Sequence, residues 1–324
     1  METFELDSRF STTRRLTRDQ SHIGNESCIG DESPYLFAAK GHPCHGGLRT
    51  QGYYKPSGVD RPLITVITAV FNGVSELAAT INSVLGQRYD AVEYIVVDGG
   101  SQDGTVEILR QYDDRIDYWI SEPDQGISDA WNKAIAFASG QYVSFLNAGD
   151  EYLEGALGNV AKQINYFEFS WGDMLWIDAA DEVTPYPGRK SYLEVIDYVM
   201  PFNHPTMFFK RTSVLEVNGY STACRFAMDY DLVRKIVSAG GNGVYVPVTI
   251  AKMKAGGVHD LNYKDTVSEV KRIAVSHGTK PLHALLAARY TLLKHGGDDS
   301  FLGYVMGWVV SVAKRVRRWL QRTF

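Results

Sequence analysis

The chain has 324 residues, 44% of them hydrophobic and 22% charged, enough for one large domain or two modest ones around a sizeable core. That composition excludes a wholly disordered chain, a collagen-like fibre and a disulfide-stapled mini-protein. The net charge of −5 suggests no nucleic-acid partner, and it is unevenly spread: no acid follows Asp299, whereas Lys314, Arg315, Arg317, Arg318 and Arg322 do.

Cys28, Cys44 and Cys224 are odd in number and far apart, which argues against a disulfide framework and fits a reducing compartment. His42, Cys44 and His45 lie close together, but no second CxxC or HxxxH completes a zinc site. The N-terminus lacks the apolar h-region of a secretory signal. No run reaches the ~18 uninterrupted apolar residues of a membrane-spanning helix. A cytoplasmic protein is expected.

Residues 1–45 are rich in Ser, Thr, Arg, Asp and Gly without a period of 2 or 3.6, and read as a mobile N-terminal arm. From Pro62 strands and helices alternate. Leu63–Val70 is a short β-branched run, as a strand buried on both faces should be, and Val74–Leu85 a helix. Val92–Asp98 reads as a strand, Gly104–Tyr112 as a helix and Ile116–Ile120 as a third strand. Ile127, Ala130, Trp131, Ala134, Ile135 and Ala138 then form one apolar helical stripe, and Tyr142–Leu146 makes a fourth strand. This rhythm predicts an α/β fold: a doubly wound, mostly parallel sheet with ligands outside the strands' carboxyl ends.

After Asp150 the rhythm loosens. Trp171–Ile177, Thr206–Phe209 and Gly243–Met253 read as strands, Asp229–Ala239 as a helix, and 282–294 and 301–320 as helix candidates. The expected division is an arm over 1–45, one domain over 46–262 and C-terminal helices over 263–324.

Three polar clusters follow predicted strands: Thr68–Asn72, Asp98–Thr105 and Asn147–Asp150. Each alone could be turn chemistry, but all three should meet at one sheet edge. A dinucleotide fingerprint needs G-x-G-x-x-G after the first strand. Here that strand ends in Thr-Ala-Val-Phe-Asn-Gly, and the glycine-rich turn after the second carries carboxylates that would repel a pyrophosphate. Carboxylates suit a nucleoside instead, with Asp98 placed to accept from a base or ribose. In an acidic domain, a diphosphate then calls for Mg²⁺ or Mn²⁺ on a carboxylate such as Asp150.

Pro62–Asn72, Asp98–Thr105, Ser121–Gly126 and Phe145–Asp150, in that order, resemble family 2 glycosyltransferases of the GT-A fold, in particular the bacterial branch that builds exopolysaccharide and lipopolysaccharide. The resemblance covers roughly residues 46–260. It implies that Thr68 and Asn72 lie beside the nucleotide, that Asp98 binds its base, and that Asp124, Asn132 and Lys133 line the same pocket. Asp150 matches the last aspartate of the family's D-x-D metal motif, and Asn147 stands at the first position as a neutral oxygen ligand.

Phe226–Leu232 is similar to the family's acidic motif, which makes Asp229 the catalytic base. Asp229 and Asp231 lie about 200° apart around a helix, so both cannot aim at one hydroxyl, and Asp231 reads as an acid at a helix start. The resemblance further implies acceptor-side positions at His204, Asp173 and His259. The expected reaction is an inverting transfer of sugar from a nucleotide-diphosphate sugar, UDP favoured, to a saccharide or lipid-linked acceptor. A nucleotidyltransferase would want basic residues in the first loop, and Phe71–Glu76 has none. A catalytically inactive nucleotide-sugar-binding module is opposed by the joint presence of Asp98, Asp150 and Asp229.

The last segment has its own chemistry. Phe301–Ala313 is apolar for about 13 residues, roughly 20 Å as a helix, against a hydrocarbon core of ~30 Å. Val312, Val316, Trp319 and Leu320 then oppose the basic residues. Such a helix lies in the interface of an anionic membrane, which predicts peripheral attachment to the inner face of the cell membrane through 301–322.

Overall fold

A computed structural model describes residues 3–18, 44–56, 61–193, 195–255 and 262–295. The short strands β1 (Thr17–Arg18), β2 (His45–Gly46) and β3 (Tyr53–Tyr54) precede the regular alternation. Then follow β4 (Ile64–Val70), α1 (Leu77–Leu85), β5 (Val92–Asp98), α2 (Thr105–Gln111), β6 (Tyr118–Ser121), α3 (Ile127–Phe137) and β7 (Tyr142–Phe145). The second half holds β8 (Glu151–Tyr152), α4 (Ala156–Ala161), β9 (Phe169–Ile177), β10 (Val183–Tyr186) and β11 (Phe208–Lys210). It ends with α5 (Arg211–Glu216), α6 (Met228–Ser238), β12 (Gly243–Lys254), α7 (Tyr263–Ser276) and α8 (Pro281–His295).

One sheet organises the molecule, in the order β2-β6-β5-β4-β7-β11-β9-β12-β8, with β10 paired to β9. The pairs β4–β5, β5–β6, β4–β7 and β9–β12 are parallel. β11 runs antiparallel to both β7 and β9, so β9 keeps the direction of β7. The strands β4, β5, β6, β7, β9 and β12 therefore all end at one edge. Strand parity decides which way each side chain faces. Ile64, Val66, Val92, Tyr94 and Val96 pack with α1, α2 and α4, whereas Ile67, Ile95 and Val97 pack with α3 and α6. Ala130, Trp131, Ala134, Ile135 and Ala138 of the predicted stripe are buried on that second side.

A buried ion pair ties the layers together. Glu93, 1% exposed, accepts from Arg49 Nη2, Thr65 Oγ1 (2.6 Å), Ser139 N (2.8 Å) and Ser139 Oγ. Arg49 also donates to the Phe137 carbonyl at 2.7 Å. The pair links the turn before β3 to β4, β5 and the end of α3.

The sequence suggests a mobile arm over 1–45, but residues 3–18 lie packed against the domain. Phe4 and Leu16 exchange backbone hydrogen bonds of 3.0 and 2.8 Å, and β1 pairs antiparallel with β3. Ser11 caps the end of α1 through Leu85 O (2.8 Å) and Val84 O (2.9 Å). Lys55, itself buried, donates to the carbonyls of Ser11 and Arg14 at 3.0 and 2.6 Å. The segment is held by backbone and capping bonds rather than an apolar stripe, which is why no periodicity announces it.

Candidate active site

The three polar clusters do meet at the common strand edge, stitched by side chain to backbone bonds. In the loop after β4, Asn72 N donates to Ser101 Oγ (2.7 Å) and Asn72 Oδ1 accepts from Gln102 N (3.1 Å). Gly73 N and Val74 N donate to Thr105 Oγ1 and Asp103 Oδ2, both at 3.0 Å. Asp98 is the hub. Its Oδ2 accepts from Gly100 N (3.2 Å), Ser101 N (3.0 Å) and Ser121 Oγ (2.5 Å), and its Oδ1 from Ser101 Oγ. With 0% exposure it braces the loop from beneath.

Thr68 is enclosed as well. It falls on the α1-facing parity of β4, has 0% exposure, donates to Leu146 O (2.7 Å) and lies 3.0 Å from the Tyr94 hydroxyl. Two other residues face the crevice at this level. A methyl group at Gly99 would lie 2.8 Å from Asp124 Oδ2 and 3.3 Å from the Phe71 ring, so only glycine permits this approach. Phe71 is 67% exposed, a flat aromatic face turned to solvent.

Asn132 and Lys133 of α3 are held by neighbouring groups. The Asn132 amide is fully engaged with the Tyr220 backbone: Nδ2 donates to Tyr220 O and Oδ1 accepts from Tyr220 N, each at 2.9 Å. Lys133 is buried among Glu122 (2.9 Å), Asp129 (3.4 Å) and the Pro123 carbonyl (3.2 Å). Both anchor loops around the crevice.

The turn after β7 is different in kind, because two of its side chains keep oxygens without partners. Among the described residues Asn147 Oδ1 is buried without a hydrogen bond. Asp150 is 7% exposed, and burial, with the nearby negative charge of Glu76 adding to it, pushes its carboxyl up to about 7. Thr80 of α1 clasps this turn, accepting from Gly149 N (3.0 Å) and donating to Asp150 O (2.8 Å). One helical turn earlier, Glu76 leans over Gly149, where an added methyl would meet Glu76 Oε2 at 3.2 Å. Hard oxygen donors without cationic partners are the donor set of Mg²⁺ or Mn²⁺, so the residues present fit such an ion.

Asp229 opens α6. It is part-exposed, and its Oδ1 accepts only from Tyr230 N (2.8 Å) among the described residues, with no ion pair. Asp231 is instead buried, with Lys235 at 2.7 Å and His277 at 3.7 Å, so of the two only Asp229 keeps a carboxylate clear of a cation. The start of α6 is capped from α7: the Glu269 carboxylate accepts from Phe226 N (2.7 Å), Ala227 N (2.8 Å) and Arg225 N (3.0 Å). Burial works against the charged form of Glu269, but these backbone bonds outweigh it and hold the carboxyl below the usual range. Tyr220 packs on Trp131 (4.6 Å between ring centres), and His204 stacks on the same indole at 4.9 Å. Asp173 is engaged through Oδ1 with Gly188 N (2.7 Å) and the Tyr245 hydroxyl (2.6 Å). His259 and the basic segment 301–322 lie outside the described residues.

The sequence signature of Glycosyl transferase family 2 matches residues 65–232, just over half the chain and every position above from Thr68 to Asp231. This chain belongs to that family. It is 32% identical over 198 residues to an uncharacterized glycosyltransferase of Mycobacterium tuberculosis, covering 58% of this chain and 72% of that one. It is 36% identical over 108 residues to the GalNAc(5)-diNAcBac-PP-undecaprenol beta-1,3-glucosyltransferase of Campylobacter jejuni, 32% of this chain and 35% of that one. Among solved structures, the mannosyltransferase PcManGT of Pyrobaculum calidifontis, in complex with GDP-Man and Mn²⁺, superposes with a TM-score of 0.52 at 19% identity, over 80% and 83% of the two chains. The GT-A fold expected from the motifs is present.

The motifs of this glycosyltransferase thus lie at one edge of the sheet. Phe71, Glu76 and Glu269 were not singled out from the sequence. Phe71 and Glu76 could have been, since both sit in the loop that follows the first crevice strand. The cap made by Glu269 carries no local signal, because the backbone groups it caps lie 42 to 44 residues away.

Proposed function

We propose that this glycosyltransferase moves a sugar from a nucleotide-diphosphate sugar, with inversion, to a hydroxyl of a saccharide acceptor carried on a lipid. The observation that carries the reading is the crevice edge itself: three stitched loops ending in the unpaired oxygens of Asn147 and Asp150. Phe71 offers its face to a base, with Asp124 beside it to accept from a ring N–H. Asn147 and Asp150 would hold the Mg²⁺ or Mn²⁺ ion, whose chemistry there is to offset charge gathering on the departing nucleoside diphosphate. Asp229 takes the proton from the acceptor hydroxyl as it attacks. A single base without a second positioned nucleophile gives inversion. His204, beside Trp131, is assigned to the acceptor side.

Thermal-shift titration of UDP, GDP, dTDP and CMP, each with and without Mn²⁺, tests the donor half. One diphosphate should raise the melting temperature only when Mn²⁺ is present, UDP being the first expectation. A flat response across the panel would contradict nucleotide-sugar use.

The lipid-linked acceptor is supported by the undecaprenol-linked substrate in the name of the Campylobacter relative and by the C-terminal segment. No described helix is long and apolar enough to cross a membrane. However, α8 exposes Leu282 (63%), Leu285 (39%) and Leu292 (38%) on its approach to the basic segment. Docking on an anionic inner leaflet brings the site to a substrate confined to two dimensions, with each basic residue near the surface adding about 1 kcal/mol. Full-length protein should sediment with vesicles containing anionic lipid at low salt, and a truncation after Asp299 should not. If both stay in the supernatant, the membrane assignment fails.

A further inference from the structure

We infer that Glu76 is a direct ligand of the divalent cation, supplying the carboxylate that the Asn147 position lacks. This rests on the metal reading above and adds a residue outside the Asn147–Asp150 motif.

Two carboxylates stand at one point of the crevice without a cation. Asp150 is 7% exposed and receives no hydrogen bond on its carboxylate among the described residues. The Glu76 carboxylate has no described hydrogen bond or ion pair either, and its Oε2 lies 3.2 Å from where a methyl at Gly149 would stand, closer than ordinary van der Waals contact and one residue from Asp150. Like charges so placed repel, and burial of an unpaired carboxylate is costly. The start of α1 accommodates Glu76 through the helix dipole, but that does nothing for Asp150.

A divalent cation resolves all three anomalies together: the buried Asp150, the facing Glu76 and the orphaned amide oxygen of Asn147. The scaffold is built for it. Glu76 and Thr80 are four residues apart and so share a face of α1, and Thr80 fixes the turn through Gly149 N and Asp150 O. Gly149, at φ +99°, takes a backbone conformation that side-chain-bearing residues rarely adopt, and the absent side chain leaves the approach open. Asn147 reduces the charge of the motif on β7, and Glu76 restores it from α1.

The test is Mn²⁺ titration of the full chain, with free Mn²⁺ read by electron paramagnetic resonance and no nucleotide or turnover required. Glu76→Gln is expected to weaken Mn²⁺ about tenfold or more, since affinity follows ligand charge. Glu76→Asp keeps the charge but withdraws it by a methylene, and should weaken binding as well. Asn147→Asp should tighten binding and shrink the effect of Glu76→Gln in the same chain. Glu76 is exposed, so these variants should keep the wild-type circular dichroism spectrum. If Asp150→Ala abolishes Mn²⁺ binding while Glu76→Gln stays within twofold of wild type, Glu76 is no ligand and the metal reading stands. A Glu76→Asp variant equal to wild type would reduce Glu76 to a distant charge and likewise overturn direct ligation. Mn²⁺ binding unchanged in Asp150→Ala would overturn the metal reading itself.

Discussion

Replacing Asp229 by Asn is expected to leave donor binding near the wild-type level and to lower the transfer rate by about 10²–10⁴-fold, the scale of a lost general base. The expectation follows from the contrast at the first turn of α6. Asp231 is buried and paired with Lys235 and His277, whereas Asp229 keeps its carboxylate clear of any cation among the described residues. An amide at position 229 preserves shape and cannot accept the proton. The rate measured at saturating donor and acceptor checks it, alongside the affinity for the nucleotide diphosphate. Equal turnover in the variant would move the base elsewhere. A parallel loss of nucleotide affinity would place Asp229 on the donor side.

The second large effect concerns the fold. Glu93→Gln is expected to cost about 3–5 kcal/mol, because it strands the Arg49 guanidinium in the interior. For a domain of this size that lowers the melting temperature by roughly 10 °C. Burial alone would raise the Glu93 carboxyl, but Arg49, Ser139 and Thr65 together hold it below its ordinary value. A depressed acid contributes stability that is present above the ordinary carboxylate range and lost as pH falls through its folded value. The gap between wild type and variant should therefore narrow in acid. Thermal melts across pH check both statements, and a gap that widened on acidification would contradict the assignment.

The legible parts of the sequence were those where one element buries one face. The β-branched runs of β4 and β5 and the stripe on α3 declared themselves because burial on both sides of the sheet imposes a period. The stripe Val267, Val270, Ile273 and Ala274 on α7 is equally readable. Residues 3–18 were not readable, since backbone bonds to Leu85 and the β3 segment hold them without regard to side-chain type.

In the site, motif order picks out three loops that the structure brings to one sheet edge, whereas the side-chain partners around them are set by distant residues. Thr68 lies on the inward parity of its strand, Asn132 bonds across to Tyr220, and Lys133 is enclosed by Glu122 and Asp129. Those outcomes depend on partners up to 88 residues away, which no local pattern contains. The cap that Glu269 places on α6 belongs to the same class.

Amide hydrogen exchange with and without a nucleotide diphosphate plus Mn²⁺ tests the central claim most directly, because it reads where the donor binds before any acceptor is known. Exchange is expected to slow in four segments at one sheet edge, 71–76, 99–105, 124–127 and 147–150, and to stay unchanged on the opposite edge around Phe167 and Asn242. Protection confined to the opposite edge, or none at saturating ligand, would contradict a nucleotide-sugar site built from these loops.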